Sequence, residues 1–342
     1  MDKHLININS SLRDALSALN SLSGSAMTLL AVDSDGHLRG TLTDGDVRRA
    51  FLAGFDLDSP VSEAMHRDFR ALGADMTPVE IRRVRNLGIR LLPVLDSEGR
   101  VVKIIDLNCH TTSLPLRAML MAGGRGERLR PLTDATPKPL LKVGGRPIID
   151  RNIEALRRVG VDDITVSVNY LAEQVEAHFA GTEVKCVRES EPLGTIGACS
   201  LLPADGPETT LLMNSDLLTN ISLEDFFIHH QAQGNDITIA TISHVVSIPF
   251  AVLTTEADRV TGIEEKPTYT HYANAGIYLI RSALLRDMKP GRLDAPEFIA
   301  EKIRLGAKVG HFPISGFWLD IGTPADFRQA DELLKLTTPW IC

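Results

Sequence analysis

The chain has 342 residues and a mass of 37.3 kDa, a length that suggests two or three domains. Its 36 basic and 44 acidic residues give a net charge of −8, which argues against nucleic-acid binding but allows a small anionic ligand held by local cations. The sequence has no apolar run of the ~20 residues that cross a bilayer, no signal-peptide core and no Cys-x-x-Cys pair. We therefore expect a cytoplasmic protein without a membrane partner, a disulfide framework or a zinc site.

An internal repeat occupies the first part of the chain. LLAVDSDG (residues 29–36) is echoed 63 residues later by LPVLDSEG (residues 92–99), and a second apolar run follows each copy. This pattern predicts two β-hairpins. An amphipathic helix is expected before each hairpin, at residues 11–22 with a serine cap and at residues 78–87 after Thr77. The polar segment CHTTSLPLR (residues 109–117) is typical of a linker, so we predict domains at 1–113 and 114–342.

The repeated half resembles a pair of CBS domains. In that family a Thr/Ser-x-x-Asp motif at the start of the last helix binds the ribose and phosphate of an adenine nucleotide. Thr43 and Asp46 match this motif after the first hairpin, whereas Asp106 and Cys109 stand at the equivalent positions of the second copy. The resemblance implies at most one adenine-nucleotide site and a homo-oligomer formed through the CBS pair. The alternative is a module for packing and dimerisation only, with Asp46 as a helix-cap residue.

The second half opens on an apolar strand predicted at Leu116–Met121, followed by AGGRGERLRPLTDATPKPLL (residues 122–141). Glycines after a strand let backbone N–H groups approach a polyphosphate. The G-x-G-x-x-G dinucleotide motif fails because Leu129 stands where the last glycine is needed. A Walker A loop is excluded because the sequence has no Gly-Lys-Ser/Thr.

Strands predicted after this loop alternate with predicted helices. The strands are expected at residues 164–168, 183–187, 210–213 and 236–242, and the helices include residues 148–159 and 171–179. This alternation is typical of an α/β fold with a mainly parallel, doubly wound sheet, to which the CBS pair would add an N-terminal α+β domain. Ligands bind such sheets at the carboxyl ends of the strands.

Six motifs in order give the second half a specific resemblance to the sugar-1-phosphate nucleotidylyltransferases, which make NDP-sugars. They are the glycine-rich signature, ESEPLGTIGA (189–198), NSD (214–216), EEKP (264–267), NAGIY (274–278) and WLDIGTP (318–324). The combination with a CBS pair is similar to the glucosamine-1-phosphate guanylyltransferases of legionaminic-acid synthesis. Ser215 and Ile196 depart from the family, which usually has Gly and Ala there.

The resemblance implies a role for each motif. Asp216 and Asp320 would hold Mg²⁺, which prefers one or two carboxylates together with phosphate oxygens. Arg128 would contact the pyrophosphate, Lys138 the nucleotide phosphates and Lys266 the sugar phosphate. The sugar would be bound by Glu265 and Asn274, and the nucleotide by Ala122, Gly123, Gly124, Gly126, Glu189, Gly194 and Thr195.

Glu189 also carries an expectation about the base. An ionised Glu offers only acceptors, which suits the adjacent N1–H and amino donors of guanine, so GTP is favoured and CTP is the runner-up. The alternative is that Glu189 is a surface charge and that Glu191 or backbone atoms read the base. The expected reaction transfers a nucleoside monophosphate from the NTP to a sugar-1-phosphate such as glucosamine-1-phosphate or mannose-1-phosphate. The alternatives are a transferase that uses CTP, UTP or dTTP and a non-catalytic nucleotide sensor.

Overall fold

The computed structural model describes residues 2–22, 26–107 and 111–337. Cys109 and Cys342, and with Cys109 the start of the predicted linker, lie outside the described residues. The chain divides into two compact units, Met1–Leu114 with Arg158–Gly160 and Pro115–Arg157 with Val161–Cys342. In the part that the structure describes, no helix has the length and apolar character needed to cross a membrane.

The described residues of the first unit form two small sheets and four α-helices. In chain order its elements are β1 (Leu5–Asn7), α1 (Leu12–Ser21), β2 (Thr28–Val32), β3 (Leu38–Thr43), α2 (Asp44–Leu52), α3 (Val61–Ala64), β4 (Leu72–Gly73), α4 (Pro78–Asn86), β5 (Leu91–Leu95) and β6 (Val101–Asp106). In each sheet a first strand runs parallel to the second, and the second pairs antiparallel with the third. The two predicted hairpins are therefore confirmed as β2–β3 and β5–β6.

The two hairpin turns have the same construction. The Asp33 carboxylate accepts from the backbone N–H groups of Asp35 and His37, and the Asp96 carboxylate accepts from the equivalent N–H groups of Glu98 and Arg100. A glycine with φ of +85° completes each turn, a backbone conformation that favours glycine. The sequence repeat is thus a repeat of backbone geometry.

The turns also pair with each other through symmetric hydrogen bonds. Leu38 N–H donates to Gly99 O at 3.1 Å, and Val101 N–H donates to Gly36 O at 3.4 Å. A buried cluster contains Leu30 and Leu38 from the first copy and Leu91 from the second. The copies therefore share apolar surface, as expected for units that bury too little surface when alone.

The second unit contains a seven-stranded sheet. Its elements are β7 (Leu116–Met121), β8 (Lys142–Val143), β9 (Arg146–Pro147), α5 (Ile148–Arg158), β10 (Ile164–Val168), α6 (Ala172–Phe179), β11 (Lys185–Arg188), β12 (Thr209–Asn214), β13 (Leu217–Thr219), α7 (Leu223–Gln233), β14 (Ile237–Ser247), β15 (Val252–Glu256), β16 (Arg259–Glu264), β17 (Thr268–Arg281), α8 (Ala283–Arg286), α9 (Ala295–Arg304), β18 (Val309–Pro313), β19 (Trp318–Asp320) and α10 (Pro324–Thr337).

The strand order of this sheet is β11-β10-β7-β12-β17-β14-β18. All neighbours pair in parallel except β17, which is antiparallel to both β12 and β14. The predicted mainly parallel sheet is confirmed. The strand order reverses between β7 and β12, and such a switch point leaves a crevice at the carboxyl ends of the strands.

β14 and β17 continue beyond the sheet as a two-stranded ribbon that carries the β15–β16 hairpin. Pairing runs on to Ser247 and Thr268, well past the end of the strand that the sequence predicts at residues 236–242. Most side chains of the ribbon are exposed on both faces. The period-2 burial signal that marks a half-buried strand is therefore absent there.

Candidate functional site

A pocket of about 290 Å³ opens at the switch point, where β7 and β12 end side by side. Twelve of the residues that line it lie in the sequence motifs, and they come from four segments of the chain. They are Ala122, Gly123, Gly124, Lys138, Pro139, Glu189, Pro192, Gly194, Thr195, Asn214, Ser215 and Asp216. The fold thus brings the predicted nucleotide-binding motifs together around one cavity.

The glycine-rich loop leaves β7 with its backbone close to other walls of the pocket. A Cβ on Gly123 would lie 3.0 Å from Glu189 Oε1, so a side chain there would press on the carboxylate. Gly126 has φ of +62°, and a Cβ there would lie 2.9 Å from Thr133. The Thr133 hydroxyl donates to Gly126 O at 2.8 Å and closes the loop. These two glycines are needed for close approach and for a left-handed backbone, respectively.

Asp216 and Asp320 are brought together by the pairing of β13 with β19. Asp320 is opposite Leu217, the residue that follows Asp216, and Ile321 N–H donates to Asp216 O at 3.2 Å. The Lys138 ammonium donates to Asp216 Oδ2 and lies 3.5 Å from Asp320 Oδ1. Arg128 approaches Asp320 Oδ2 at 4.0 Å. Two carboxylates and two cations from four segments therefore form one charged cluster.

The carboxylates of this cluster have unused acceptor capacity. Asp216 Oδ1 and Asp320 Oδ1 are both buried without a hydrogen-bond partner among the described residues. Burial and the neighbouring Asp216 carboxylate raise the pKa of Asp320, against the opposing effect of Lys138 and Arg128. A buried acceptor without a donor is costly unless a cation or another ligand satisfies it.

Glu189 follows β11 and is 7% exposed. Its Oε2 accepts from Leu193 N–H at 3.0 Å, and Asn169 donates to its backbone O at 3.0 Å. One carboxylate oxygen thus braces the 189–193 turn, while Oε1 faces Gly123 at the pocket wall. This burial excludes the alternative that Glu189 is a solvated surface charge.

Gly194 and Thr195 are fixed by the segment before α9. Gly194 has φ of +77°, and a Cβ there would lie 2.6 Å from Leu293 O. Asp294 Oδ1 accepts from Thr195 N–H at 3.0 Å, and the Thr195 hydroxyl accepts from Ala295 N–H at 2.8 Å. The loop therefore caps α9 from outside that helix.

The predicted sugar-binding residues lie on other segments. Glu265 and Lys266 are exposed in the turn between β16 and β17, where Lys266 has φ of +46°. Asn274 lies on β17, where its side chain accepts from Gly276 N–H at 2.9 Å and donates to the Tyr278 hydroxyl at 2.8 Å. None of the three belongs to the residues that line the 290 Å³ pocket.

In the first unit, Thr43 and Asp46 form a capping box at the start of α2. The Asp46 carboxylate accepts from Thr43 N–H at 2.8 Å, and the Thr43 hydroxyl accepts from Asp46 N–H at 3.3 Å. Arg49 donates to the other Asp46 oxygen. Both residues therefore have a structural role in helix capping.

Sequence reasoning gave no role to three residues that support the site. Ser215 is 2% exposed, and its N–H and hydroxyl both donate to Met121 O, at 3.2 and 2.6 Å. Asn152 of α5 donates to Ser215 O at 3.2 Å. Asp294 holds Thr195, as described above. The departure of Ser215 from the family pattern was a usable signal, whereas Asn152 and Asp294 lie outside all the motifs.

The family described as Nucleotidyl transferase matches residues 117–336, which is more than half of the chain. The chain belongs to the nucleotidyl transferase family. A crystal structure of a Bacillus anthracis protein named "Putative Glucose-1-Phosphate Thymidylyltransferase" has the same fold, with a TM-score of 0.51 and 24% identity. That likeness covers 64% of this chain and 94% of the other. The Rossmann-like nucleotidyl transferase fold predicted for the second half is therefore confirmed.

Curated relatives are similar to part of this nucleotidyl transferase family member. "Probable mannose-1-phosphate guanylyltransferase 2" of Arabidopsis thaliana is 34% identical over 234 residues, 62% of this chain and 63% of the relative. The Danio rerio mannose-1-phosphate guanylyltransferase catalytic subunit beta is 33% identical over 229 residues, 62% of each chain. The chain thus spans less than two thirds of the length of these relatives.

Proposed function

We propose that the chain is a sugar-1-phosphate nucleotidylyltransferase that transfers GMP from GTP to a sugar-1-phosphate and releases pyrophosphate. The observation that carries the proposal is the cluster of Asp216, Asp320, Lys138 and Arg128 beside the glycine-rich loop. A loop of this kind suits a polyphosphate, and the paired carboxylates suit a divalent cation. The names of the relatives support the same reaction class.

The residues present fit Mg²⁺. Asp216 Oδ1 and Asp320 Oδ1 are buried without a hydrogen-bond partner among the described residues, come from separate strand ends and are hard donors of the kind that Mg²⁺ prefers. Asp216 and Asp320 would hold the ion, and Mg²⁺ would supply neutralisation of phosphate charge when bound.

In the proposed reaction a phosphate oxygen of the sugar-1-phosphate attacks the α-phosphorus of the nucleotide. The new P–O bond forms as the bond from the α-phosphorus to the bridging oxygen breaks, and pyrophosphate leaves with that oxygen and the bonding electrons. The attacking oxygen is already anionic, so no general base is required. Lys138 and Arg128 stabilise the negative charge, and backbone N–H groups of residues 123–126 orient the phosphates.

Glu189 and the curated relatives both support GTP as the nucleotide. Mannose-1-phosphate and glucosamine-1-phosphate are the sugar phosphates that we propose, the second because the combination with a CBS pair resembles the guanylyltransferases of legionaminic-acid synthesis. Lys266 would bind the sugar phosphate, and Glu265 and Asn274 would bind the sugar. These three residues lie near or on the exposed ribbon.

The test is a pyrophosphate-release assay of the full chain with Mg²⁺. GTP, CTP, UTP and dTTP are each combined with mannose-1-phosphate and with glucosamine-1-phosphate. We expect release that requires an NTP and a sugar-1-phosphate together. Binding of GTP without release under any combination would favour the alternative of a nucleotide sensor.

For the first half we propose a CBS pair that binds one adenine nucleotide at Thr43 and Asp46 and associates with a second copy of the chain. The symmetric pairing of the two hairpin turns supports a CBS pair. Helix α2 begins at this motif, and its first turn can receive a phosphate.

We expect Asp46→Ala to abolish AMP, ADP or ATP binding by the full chain, measured by isothermal titration. The same substitution removes the N3 half of a capping box and is expected to lower the free energy of unfolding by about 0.3–1.5 kcal/mol. Glu80→Ala is the matched control, because it breaks the equivalent capping box of α4 outside the motif. Equal adenine-nucleotide binding by both variants, or no binding by the wild type, would leave only the capping role.

A further inference from the structure

Arg125 stands in the middle of the glycine-rich loop, between pocket-lining Gly124 and left-handed Gly126. Its guanidinium lies over the ring of Tyr170, 5.9 Å from the ring centroid. The side chain is exposed, and among the described residues no carboxylate forms an ion pair with it. Arg125 is therefore a cation on the candidate phosphate loop whose charge is not neutralised by the protein.

Tyr170 forms hydrogen bonds to both ends of this loop. Its backbone N–H donates to Gly123 O at 3.4 Å, and its hydroxyl donates to Thr133 O at 3.2 Å. The Arg125 guanidinium over this ring therefore lies beside the loop. A cation–π contact limits the rotamers of an Arg but leaves N–H donors of the guanidinium open to an anion.

The charges of the site call for a further cation. Lys138 and Arg128 are each close to an aspartate, so these two cations and the two carboxylates cancel in formal charge. A nucleoside triphosphate brings about four negative charges, which exceeds the two positive charges of one Mg²⁺. An Arg that is not already paired is suited to bind phosphate oxygens through two parallel N–H donors.

We propose that Arg125 binds the β- and γ-phosphates of the nucleotide, and hence the pyrophosphate product, and that Tyr170 is its positioning residue. The loop passes Glu189 at Gly123 and then continues through Gly124 to Arg125. A triphosphate that follows the loop from a base at Glu189 has its outer phosphates nearest Arg125. This inference rests on the proposed function, because it assumes that the pocket takes a nucleoside triphosphate.

The test compares direct binding of GTP, GMP and inorganic pyrophosphate by isothermal titration of the full chain. Arg125→Ala is expected to weaken GTP and pyrophosphate binding about tenfold to hundredfold and to leave GMP binding within twofold, since GMP has only the α-phosphate. In turnover the same variant is expected to raise KM for GTP but not KM for the sugar-1-phosphate. Arg130→Ala is the matched control. Arg130 is an exposed Arg five residues after Arg125, and it pairs with Asp134.

Tyr170 has its own signature. Tyr170→Leu removes the ring and is expected to weaken pyrophosphate binding about threefold to tenfold, whereas Tyr170→Phe keeps the ring and is expected to restore most of that affinity. If Arg125→Ala binds GTP and pyrophosphate with the same affinities as the wild type, this inference is overturned while the proposed function remains intact. An equal loss of GMP affinity would overturn it too, because the effect would then not be confined to the outer phosphates. A wild-type chain that binds no GTP would overturn the proposed function itself.

Discussion

Asp216→Asn and Asp320→Asn are each expected to lower kcat for nucleotidyl transfer by about 10²–10³-fold while the protein remains folded. Each substitution removes a charge from a pair in which Asp216 Oδ1 and Asp320 Oδ1 have no hydrogen-bond partner among the described residues. It also leaves the Lys138 ammonium with a weaker partner. Asn has nearly the same shape as Asp, so the β13–β19 pairing that holds both residues is expected to persist.

Three measurements distinguish a metal-site defect from a general one. Turnover is measured over a Mg²⁺ titration, metal binding is measured directly with Mn²⁺ as a spectroscopic probe, and thermal unfolding checks the fold. Asp134→Asn is the control. Asp134 lies in the glycine-rich segment (residues 122–141), and its exposed carboxylate pairs with Arg130 outside the charged cluster. Near-normal turnover of both site variants at saturating Mg²⁺ would defeat the metal assignment.

The parts of the fold that the sequence predicts well have strong local signals. β7 and β10 have the predicted bounds because each is a short apolar run between turns, buried along nearly its whole length. The hairpins of the repeat follow from an Asp and a Gly at fixed positions in each turn. The charged cluster could be anticipated only through the family motifs, since Asp216 and Asp320 are over 100 residues apart and meet through β13–β19 pairing.

Long-range pairing without a local signal could not be predicted. The antiparallel insertion of β17 between β12 and β14 depends on contacts between distant strands, and the exposed ribbon lacks a buried face. Asp294 and Asn152 act by hydrogen bonds to Thr195 and Ser215 across the fold. Their spacing in the chain carries no pattern that would single them out.

The wild-type protein is expected to prefer GTP over UTP and dTTP in kcat/KM by roughly tenfold to hundredfold, with CTP intermediate. Glu189 is buried and can only accept, so it suits the adjacent N1–H and amino donors of guanine. Uracil and thymine offer a single N3–H donor flanked by two carbonyl oxygens, so a carbonyl oxygen would face the second carboxylate oxygen and repel it. Cytosine offers one amino donor and so takes the middle position.

Glu189→Gln is expected to reduce the GTP preference, because the amide replaces one acceptor oxygen with a donor. The structure adds a constraint, since Glu189 Oε2 already accepts from Leu193 N–H and a guanine must use Oε1 or share Oε2. Glu191→Gln is the matched control: Glu191 is exposed in the same turn and does not line the pocket. Relative kcat/KM values for GTP, CTP, UTP and dTTP in the three proteins decide the matter. A wild-type preference for UTP or dTTP would refute the GTP assignment. An unchanged preference for GTP in Glu189→Gln would show that other groups of the pocket recognise the base.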